Sequence, residues 1–476
     1  MQLTERHFIR EGSEQCQELT RVAHLSKNLF NATLYAVRQH FFETGKYLPF
    51  AKVCNDFTSQ SNSDYVALPR KVSQGTMRLV DKSFKSFFQS LTQYKVNPSK
   101  FKGRPKLPKY KDKNGAFIVE FNNQAVSRKD LNNDGVIHPS GTNIHISSNV
   151  KYDDLDCVRI VPVCGGFYVE VVYTTQEAEP KPDNGRYASI DLGIDNLATV
   201  VSNIPGFETF AVDGRYLKSY NHWYNKEKAR LKPCAETYNG TKTTKRLRKL
   251  EADRRNVVSD YMHKASRLIV NQLVSNDVCA LYVGHNKGWK QDTNMGRVNN
   301  QNFVEIPHTT FIAILKYKCK LAGIAFHENE ESYTSKCSFL DNEEICKHDV
   351  YAGQRVHRGL FRSSDGTLIN ADVNGAWNIL RKCKPEAFAD GVVGVVVHPV
   401  IARMANGFID FHGFMELYYK NFLKFANLFP ILVFRLPNRL ESCPPFVLTS
   451  NKQFLLQTSS NPQYSQLVDS DNPLGS

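Results

Sequence analysis

Long apolar runs are missing from this 476-residue sequence. The two longest, 392–397 and 429–434, fall far short of the roughly 20 residues that a membrane-spanning helix needs. The N-terminal Met-Gln-Leu-Thr-Glu-Arg-His is charged where a secretory signal is oily. A membrane partner is therefore not expected, and the chain is placed in the cytosol. A disulfide framework is missing too: eleven cysteines, an odd number at irregular spacing, suit small core residues in a reducing compartment. An acidic excess is also absent, since 61 Lys+Arg stand against 47 Asp+Glu for a net charge of +14. That charge is concentrated. Residues 97–113 carry seven basic side chains and one acidic, and 225–255 carry eleven and four, so 48 residues hold +13 of the +14. Basic stretches interleaved with aromatic and hydrogen-bonding side chains point to a polyanionic partner, nucleic acid before membrane.

With 41% hydrophobic residues the chain is long enough for two to four domains. Between about 14 and 95 apolar residues recur at three-to-four spacing (Leu19, Val22, Leu25, Leu29, then Met77, Val80, Phe84, Phe88), which predicts a small helical domain. Pro105 and Pro108 exclude helix from the Gly-Arg-Pro-Lys-Leu-Pro-Lys-Tyr-Lys segment, which reads as an extended basic arm. Short β-prone stretches follow up to 180 and predict an all-β module with the helical domain inserted in it. From Arg186 the order is a three-strand meander, a long basic helical stretch, a strand at 278–283, a helix at 308–322, a strand at 324–327 and a helix starting near Asp372. That is an α/β order compatible with an RNase H topology. Residues 384–476 end polar and Pro/Asn/Ser-rich, and are expected to be a partly disordered extension.

Three groups of carboxylates stand out. Asp191 ends an apolar strand just before Gly193, and Asp372 lies at a helix start among small residues, where Asp is also a favoured N-cap. Glu328, Glu330 and Glu331 crowd the end of a short strand. Asp191, one of these glutamates and Asp372 together would make an oxygen-ligand site for Mg²⁺, and two such ions about 4 Å apart suit phosphodiester hydrolysis.

Five ordered motifs then carry a resemblance: Tyr-Ala-Ser-Ile-Asp191-Leu-Gly-Ile-Asp-Asn-Leu-Ala-Thr, Asn286-Lys-Gly-Trp289-Lys-Gln, Ser332-Tyr-Thr-Ser-Lys-Cys-Ser, Arg358-Gly-Leu-Phe and Asn370-Ala-Asp372-Val-Asn-Gly-Ala. Together they resemble TnpB, the insertion-sequence-encoded RNA-guided nuclease related to the type V CRISPR effectors. The resemblance implies a RuvC-like nuclease domain at 186–383. It also implies a wedge-like β-barrel module at 1–13 and 96–180, interrupted by a helical recognition domain at 14–95. The implied activity is Mg²⁺-dependent cleavage of double-stranded DNA beside a short adjacent motif, directed by a guide RNA from the transposon end. Asp191 and Asp372 match the first and last catalytic aspartates of the family. Two departures matter. Most relatives carry a catalytic glutamate after the strand matching Leu281-Tyr282-Val283, where this chain has Gly284-His285. Glu330 or Glu331 is expected to replace it from the neighbouring strand, alternation aiming one of the two inward. The family's paired Cys-x-x-Cys knuckles are also missing, and Cys337, Cys346, His348 and His357 are spaced too irregularly to predict a structural zinc.

The basic stretches acquire expected roles in this frame. Lys102, Arg104, Lys106, Lys109 and Lys111, with Tyr110, would track a phosphate backbone and stack on a base. Lys245, Arg246, Arg248, Lys249, Arg254 and Arg255 would line the guide–target channel, reading charge and A-form shape. Arg215, Lys218 and Asn221 would hold RNA. Trp289, His285 and His308 read as structural. Three rivals remain: a non-cleaving RNA-guided DNA-binding protein, motivated by Gly284; a sugar-kinase-like or actin-like ATPase, suggested by Asp-Leu-Gly followed by a strand hairpin; and a DNA-joining transposase that works without RNA.

Overall fold

Strand β1 (Gln2–Arg10) runs antiparallel to β6 (Gly166–Thr174) along its whole length, with Gln2 opposite Thr174 and Arg10 opposite Gly166. In the computed structural model, which describes residues 1–239, 243–286, 305–388, 397–405 and 408–410, β6 continues to β5 (Leu155–Val163) and β5 to β2 (Val119–Asn122). The resulting four-stranded sheet has the order β1-β6-β5-β2. It is open rather than a barrel. The two-residue strands β3 (Val136–Ile137) and β4 (Ile146–Ser147), which follow helix α5 (Arg128–Asp134), pair with each other and reach neither edge of it. Helices α1 (Glu14–Thr44), α2 (Phe50–Ser59), α3 (Ser63–Val66) and α4 (Arg70–Val96) lie between β1 and β2 in the chain. Their apolar stripes, Leu19, Leu29, Val72, Val80 and Phe84 among them, share one core with Phe121, Val158 and Val169 of the sheet.

The segment after α4 has no regular structure beyond a short turn at Pro98–Lys100, as its prolines require, yet it is not a loose arm. Asn31 on α1 clamps Lys111 with both amide atoms, at 2.8 and 3.0 Å, and Lys27 Nζ donates to the Lys113 carbonyl at 2.6 Å. These bonds satisfy backbone groups that an extended segment leaves unpaired.

The second sheet begins with β7 (Tyr187–Leu192), β8 (Asn196–Ser202) and β9 (Phe210–Asp213) as an antiparallel meander. Helices α6 (Arg215–Asn239) and α7 (Lys245–Ser275) follow. Strand β10 (Ala280–Gly284) then returns parallel to β7, and α8 (His308–Leu321) leads to β11 (Ala325–Asn329), parallel to β10. A small sheet of β12 (Gln354–His357), β13 (Leu360–Arg362) and β14 (Leu368–Asn370) precedes α9 (Ala371–Cys383). The strand order β11-β10-β7-β8-β9, with only the second strand of the fold reversed, is that of an RNase H sheet. Strand β7 is central and covered on both faces. Ala188, Ile190 and Leu192 face a core shared with α7 and α8. Tyr187 packs with α9 on the other face, so alternation turns Ser189 and Asp191 the same way. The Ser189 hydroxyl donates to the Ala376 carbonyl at 2.7 Å and ties helix to strand.

The C-terminal segment departs from expectation. Residues Val400–Ala405 form β15, a strand parallel to β9 with Val400 opposite Phe210, and Phe408–Asp410 form β16 beyond it. The Val-Ile-Ala start of β15 supplies an apolar partner for the Phe-Ala-Val edge of β9, so this part of the extension belongs to the second sheet.

Candidate active site

Asp191, Glu331 and Asp372 lie at the carboxyl end of β7, near enough for the charges of Asp372 and Glu331 to bear on Asp191. Asp191 reaches this point because it is the fifth residue of β7 and faces α9. Its neighbour is Gly375, where an added Cβ would stand 2.8 Å from Asp191 Oδ2. Only glycine lets the helix lie this close. Asp372 is carried by the first turn of α9. It does not serve as the N-cap: Asn370 Oδ1 accepts from the amides of Asp372 and Val373, which leaves the Asp372 carboxylate for the site. There Asp372 Oδ2 accepts from Asn196 Nδ2 at 2.8 Å, and Arg355 of β12 approaches Oδ1 at 3.9 Å.

Glu331 enters from the loop after β11. A Cβ on Gly284 would lie 2.6 Å from Glu331 Oε2 and 2.5 Å from Ile379 Cδ1, so the glutamate occupies the space that a side chain at position 284 would take. Asn286 holds it in place, its Oδ1 accepting from the Glu331 amide at 3.1 Å and its Nδ2 reaching Oε1 at 3.5 Å. The loop itself is fastened to α9 by buried amides. Asn378 donates to the carbonyls of Thr334 and Cys337, Asn374 donates to Cys337 and accepts from Phe339, and the Phe339 ring stacks on Trp377. Of the two glutamates considered, Glu330 is the one turned away: it pairs with Lys382 at 2.8 Å and caps the Ser332 amide on the surface. Both residues lie beyond the last residue of β11, so this loop rather than strand alternation decides which one enters.

The electrostatics follow from the crowding. Burial, then the negative charges of Asp372 and Glu331, hold the Asp191 carboxyl well above the usual range, with Arg355 opposing in part. Burial pushes Glu331 up to about 7, the Glu330 charge adding to the rise and Lys382 opposing it. Among the described residues, no three His, Cys, Asp or Glu side chains stand close enough to hold a metal ion as they are placed. The donor chemistry nevertheless fits a hard divalent cation, because the charges of two further carboxylates bear on Asp191 and one arginine only partly offsets them.

Several participants escaped the sequence reading. Asn286 and Gly375 stood inside quoted motifs without a role, and local sequence did signal them. Asn196 also stood inside a quoted motif without a role, whereas Arg355 arrives by tertiary pairing and left no such signal. His308 Nε2 donates to the Gly193 carbonyl at 2.8 Å, and the residue is buried. Cys346 Sγ lies 3.3 Å from His348 Nε2, and Cys337 Sγ points to the Cys346 carbonyl, while His357 is exposed on β12. Trp289 lies outside the described residues.

The basic residues divide into two groups. Lys102, Arg104, Lys106 and Lys109 are exposed along the arm, beside a cavity of about 420 Å³ that Lys106, Lys109 and Lys111 line together with Phe87 and Ser86. The ammonium of Lys111 sits over Phe30 and Phe117, and Arg38 sits over the exposed Tyr110 ring. Lys245, Arg246 and Lys249 are exposed on α7. The others already hold partners within the fold. Arg215 forks onto Asp213, Lys218 pairs with Asp195, and Asn221 is buried and accepts from Arg254. Arg248 forks onto Glu11 at the end of β1, and Arg255 bonds the Tyr168 hydroxyl and the Cys164 carbonyl. These contacts dock α7 on the first sheet, a use that charge counting cannot foresee.

Two family models match the chain: OrfB_IS605, "Probable transposase", over 170–290, and the Cas12f1-like TNB domain over 308–379. "TnpB-like protein ORF457" of Acidianus two-tailed virus is 25% identical over 426 residues, covering 81% of this chain and 86% of that protein. "Putative RNA-guided DNA endonuclease InsQ" of Escherichia coli K12 is 21% identical over 396 residues, covering 78% and 90%. Among solved structures, a Cas12f1-sgRNA-target DNA complex aligns over 80% of this chain and 98% of that one at 13% identity, with a TM-score of 0.31. The two family models follow one another in the order of the motifs, both protein relatives align along most of their length, and the chain is in this sense similar to TnpB proteins.

Proposed function

We propose that the protein is an RNA-guided DNA endonuclease whose cleavage site is built from Asp191, Glu331 and Asp372. The observation that carries this reading is the exchange at Gly284: the carboxylate absent from that position is replaced, in the same space, by Glu331. The names of its relatives support the RNA guide and the DNA target. The guide is proposed to come from the transposon end, and the target to be double-stranded DNA beside a short adjacent motif. Asp191, Glu331 and Asp372 would hold Mg²⁺, two ions in the fullest form of the site. Those ions would supply a hydroxide at neutral pH and charge stabilisation for the leaving oxygen. The chain's own part is to hold three carboxylates in place, on β7, on the first turn of α9 and on the loop after β11. Asn286 orients Glu331, Asn196 and Arg355 orient Asp372, and Gly375 lets α9 approach Asp191. Lys102, Arg104, Lys106, Lys109 and Tyr110 on the arm, and Lys245, Arg246 and Lys249 on α7, are the proposed phosphate contacts.

The test is plasmid cleavage by the guide-loaded protein with Mg²⁺. Glu331→Gln is expected to lose more than the 10–100-fold, roughly, that follows loss of an outer partner of a metal site. Glu330→Gln is expected to stay within about threefold, as befits an exposed pair. Equal cleavage by wild type and Glu331→Gln would remove Glu331 from the site. Guided binding without any cleavage by the wild type would favour the non-cleaving DNA-binding protein that the glycine at 284 also suggests.

A further inference from the structure

Helix α6 carries a stripe of aromatic rings that its own packing does not use. Its buried face is made by Leu217, Asn221, Tyr224 and Leu231, at helical spacing. Alongside run Tyr216, Tyr220 and Trp223, in ring contact with one another and anchored at one end by the buried Tyr261 of α7. The Tyr261 hydroxyl donates to the Asp213 carbonyl. Ring centroids along the ladder are 5.6, 6.3 and 5.4 Å apart, and the planes turn from near-parallel at Tyr261 to 43° at Trp223. Tyr216 is 38% exposed and Trp223 is 48% exposed. A half-exposed indole at the outer end of a stack adds little to a core, yet it offers a face on which another planar group can continue. Tyr220 also lines a cleft of about 830 Å³ with Arg10, Lys245, Lys249 and Asn256.

We propose that this ladder is a stacking platform for unpaired bases of RNA, with the phosphates of the same strand running into the Lys245–Lys249 cleft. The inference rests on the nucleic-acid reading above and names a specific element for it. Stacking on aromatic faces is sequence-tolerant, and the adjoining cations supply the complementary charge. RNA is favoured over DNA because the phenols of Tyr216 and Tyr220 place hydrogen-bonding groups along the platform, where a 2′-hydroxyl has partners.

The experiment uses the full chain, stripped of co-purifying RNA by high salt, and a fluorescent ten-residue oligoadenylate titrated at several salt concentrations, with the deoxy form of the same length as the second arm. Trp223→Leu is expected to weaken binding to the RNA about tenfold or more, the loss of one stacked base, without changing the salt slope. Trp223→Phe should retain most of the affinity. Lys249→Ala should instead lower the slope by about one. The indole emission quenched by RNA in the wild type should be largely unquenched in Trp223→Phe, a readout that stands even if the leucine variant is poorly folded. Wild-type affinity in Trp223→Leu, or undiminished quenching in Trp223→Phe, overturns the platform and leaves the nuclease reading intact. Tighter binding of the deoxy strand, with the same loss in Trp223→Leu, overturns the RNA assignment. Failure of the wild type to bind either strand or its guide overturns the nucleic-acid reading itself.

Discussion

Glu330 and Glu331 are neighbours in sequence whose carboxyls move in opposite directions. Lys382 holds Glu330 below the usual carboxylate range, whereas burial lifts Glu331 to about 7. The sign of the consequence follows directly. A carboxyl raised in the fold binds more protons there than in the unfolded chain, so its stabilising effect is complete below its ordinary pKa of about 4.5 and is lost as pH rises through about 7. Asp191 is raised as well and acts in the same sense. In chelator, therefore, the melting temperature should fall between about pH 5 and pH 8, by an amount on the order of 2 kcal/mol of stability. Glu331→Gln should flatten that slope. Added Mg²⁺ should raise the melting temperature more at pH 8 than at pH 5, because its ligands must be deprotonated. A wild-type melting curve with no pH dependence in chelator would mean that the carboxylates do not crowd one another in solution.

At the scale of the element, α9 is held by three different devices: the Asn370 cap at its start, the Ser189–Ala376 bond to β7, and the close approach at Gly375. Gly375→Ala sets two effects against each other. Alanine favours a helix by about 1 kcal/mol over glycine, while the new methyl meets Asp191 Oδ2 at 2.8 Å, and overpacking of that kind costs about 1–3 kcal/mol. Global stability should move little, within roughly 2 kcal/mol, but a displacement near 1 Å at the carboxylate should lower cleavage about a hundredfold. Thermal melting and plasmid cleavage measured on the same variant separate the two; unaltered cleavage would show that Asp191 does not need its present position. The sequence made Asp191 and Asp372 legible because an apolar strand and an Asn-Ala-Asp helix start are local patterns. It left Glu330 and Glu331 open because their choice is made by Asn286 and by the buried amides of Asn374 and Asn378, which are long-range contacts. Charge clusters were legible as clusters only: Arg215, Arg248, Arg254 and Arg255 are spent on intramolecular partners that lie elsewhere in the chain.

At the scale of the whole molecule, the order of strands and helices from 186 to 383 could be read because each element has its own period, 2 or 3.6, and a turn between. Strand β15 could not. It lies after the last residue matched by either family model, 379, and its composition is neutral between strand and loop until β9 is known to need a partner. Its place is nevertheless structural: Ala402 sits opposite Val212 and is fully buried in the core formed by β7, α7 and α8. Without β15, the apolar edge of β9 would be an unpaired template for association. Ala402→Asp places an uncompensated charge in that core, and the expected loss is about 3 kcal/mol or more, read as a fall in melting temperature with increased aggregation. Arg403→Asp, one residue on and exposed, is the control. It removes a weak 3.9 Å approach to Asp213 and should cost under about 1 kcal/mol. If both variants melt with the wild type, β15 is peripheral and the nuclease sheet ends at β9; if Ala402→Asp alone collapses, the segment beyond the family's matched region completes the core on which Asp191 is mounted.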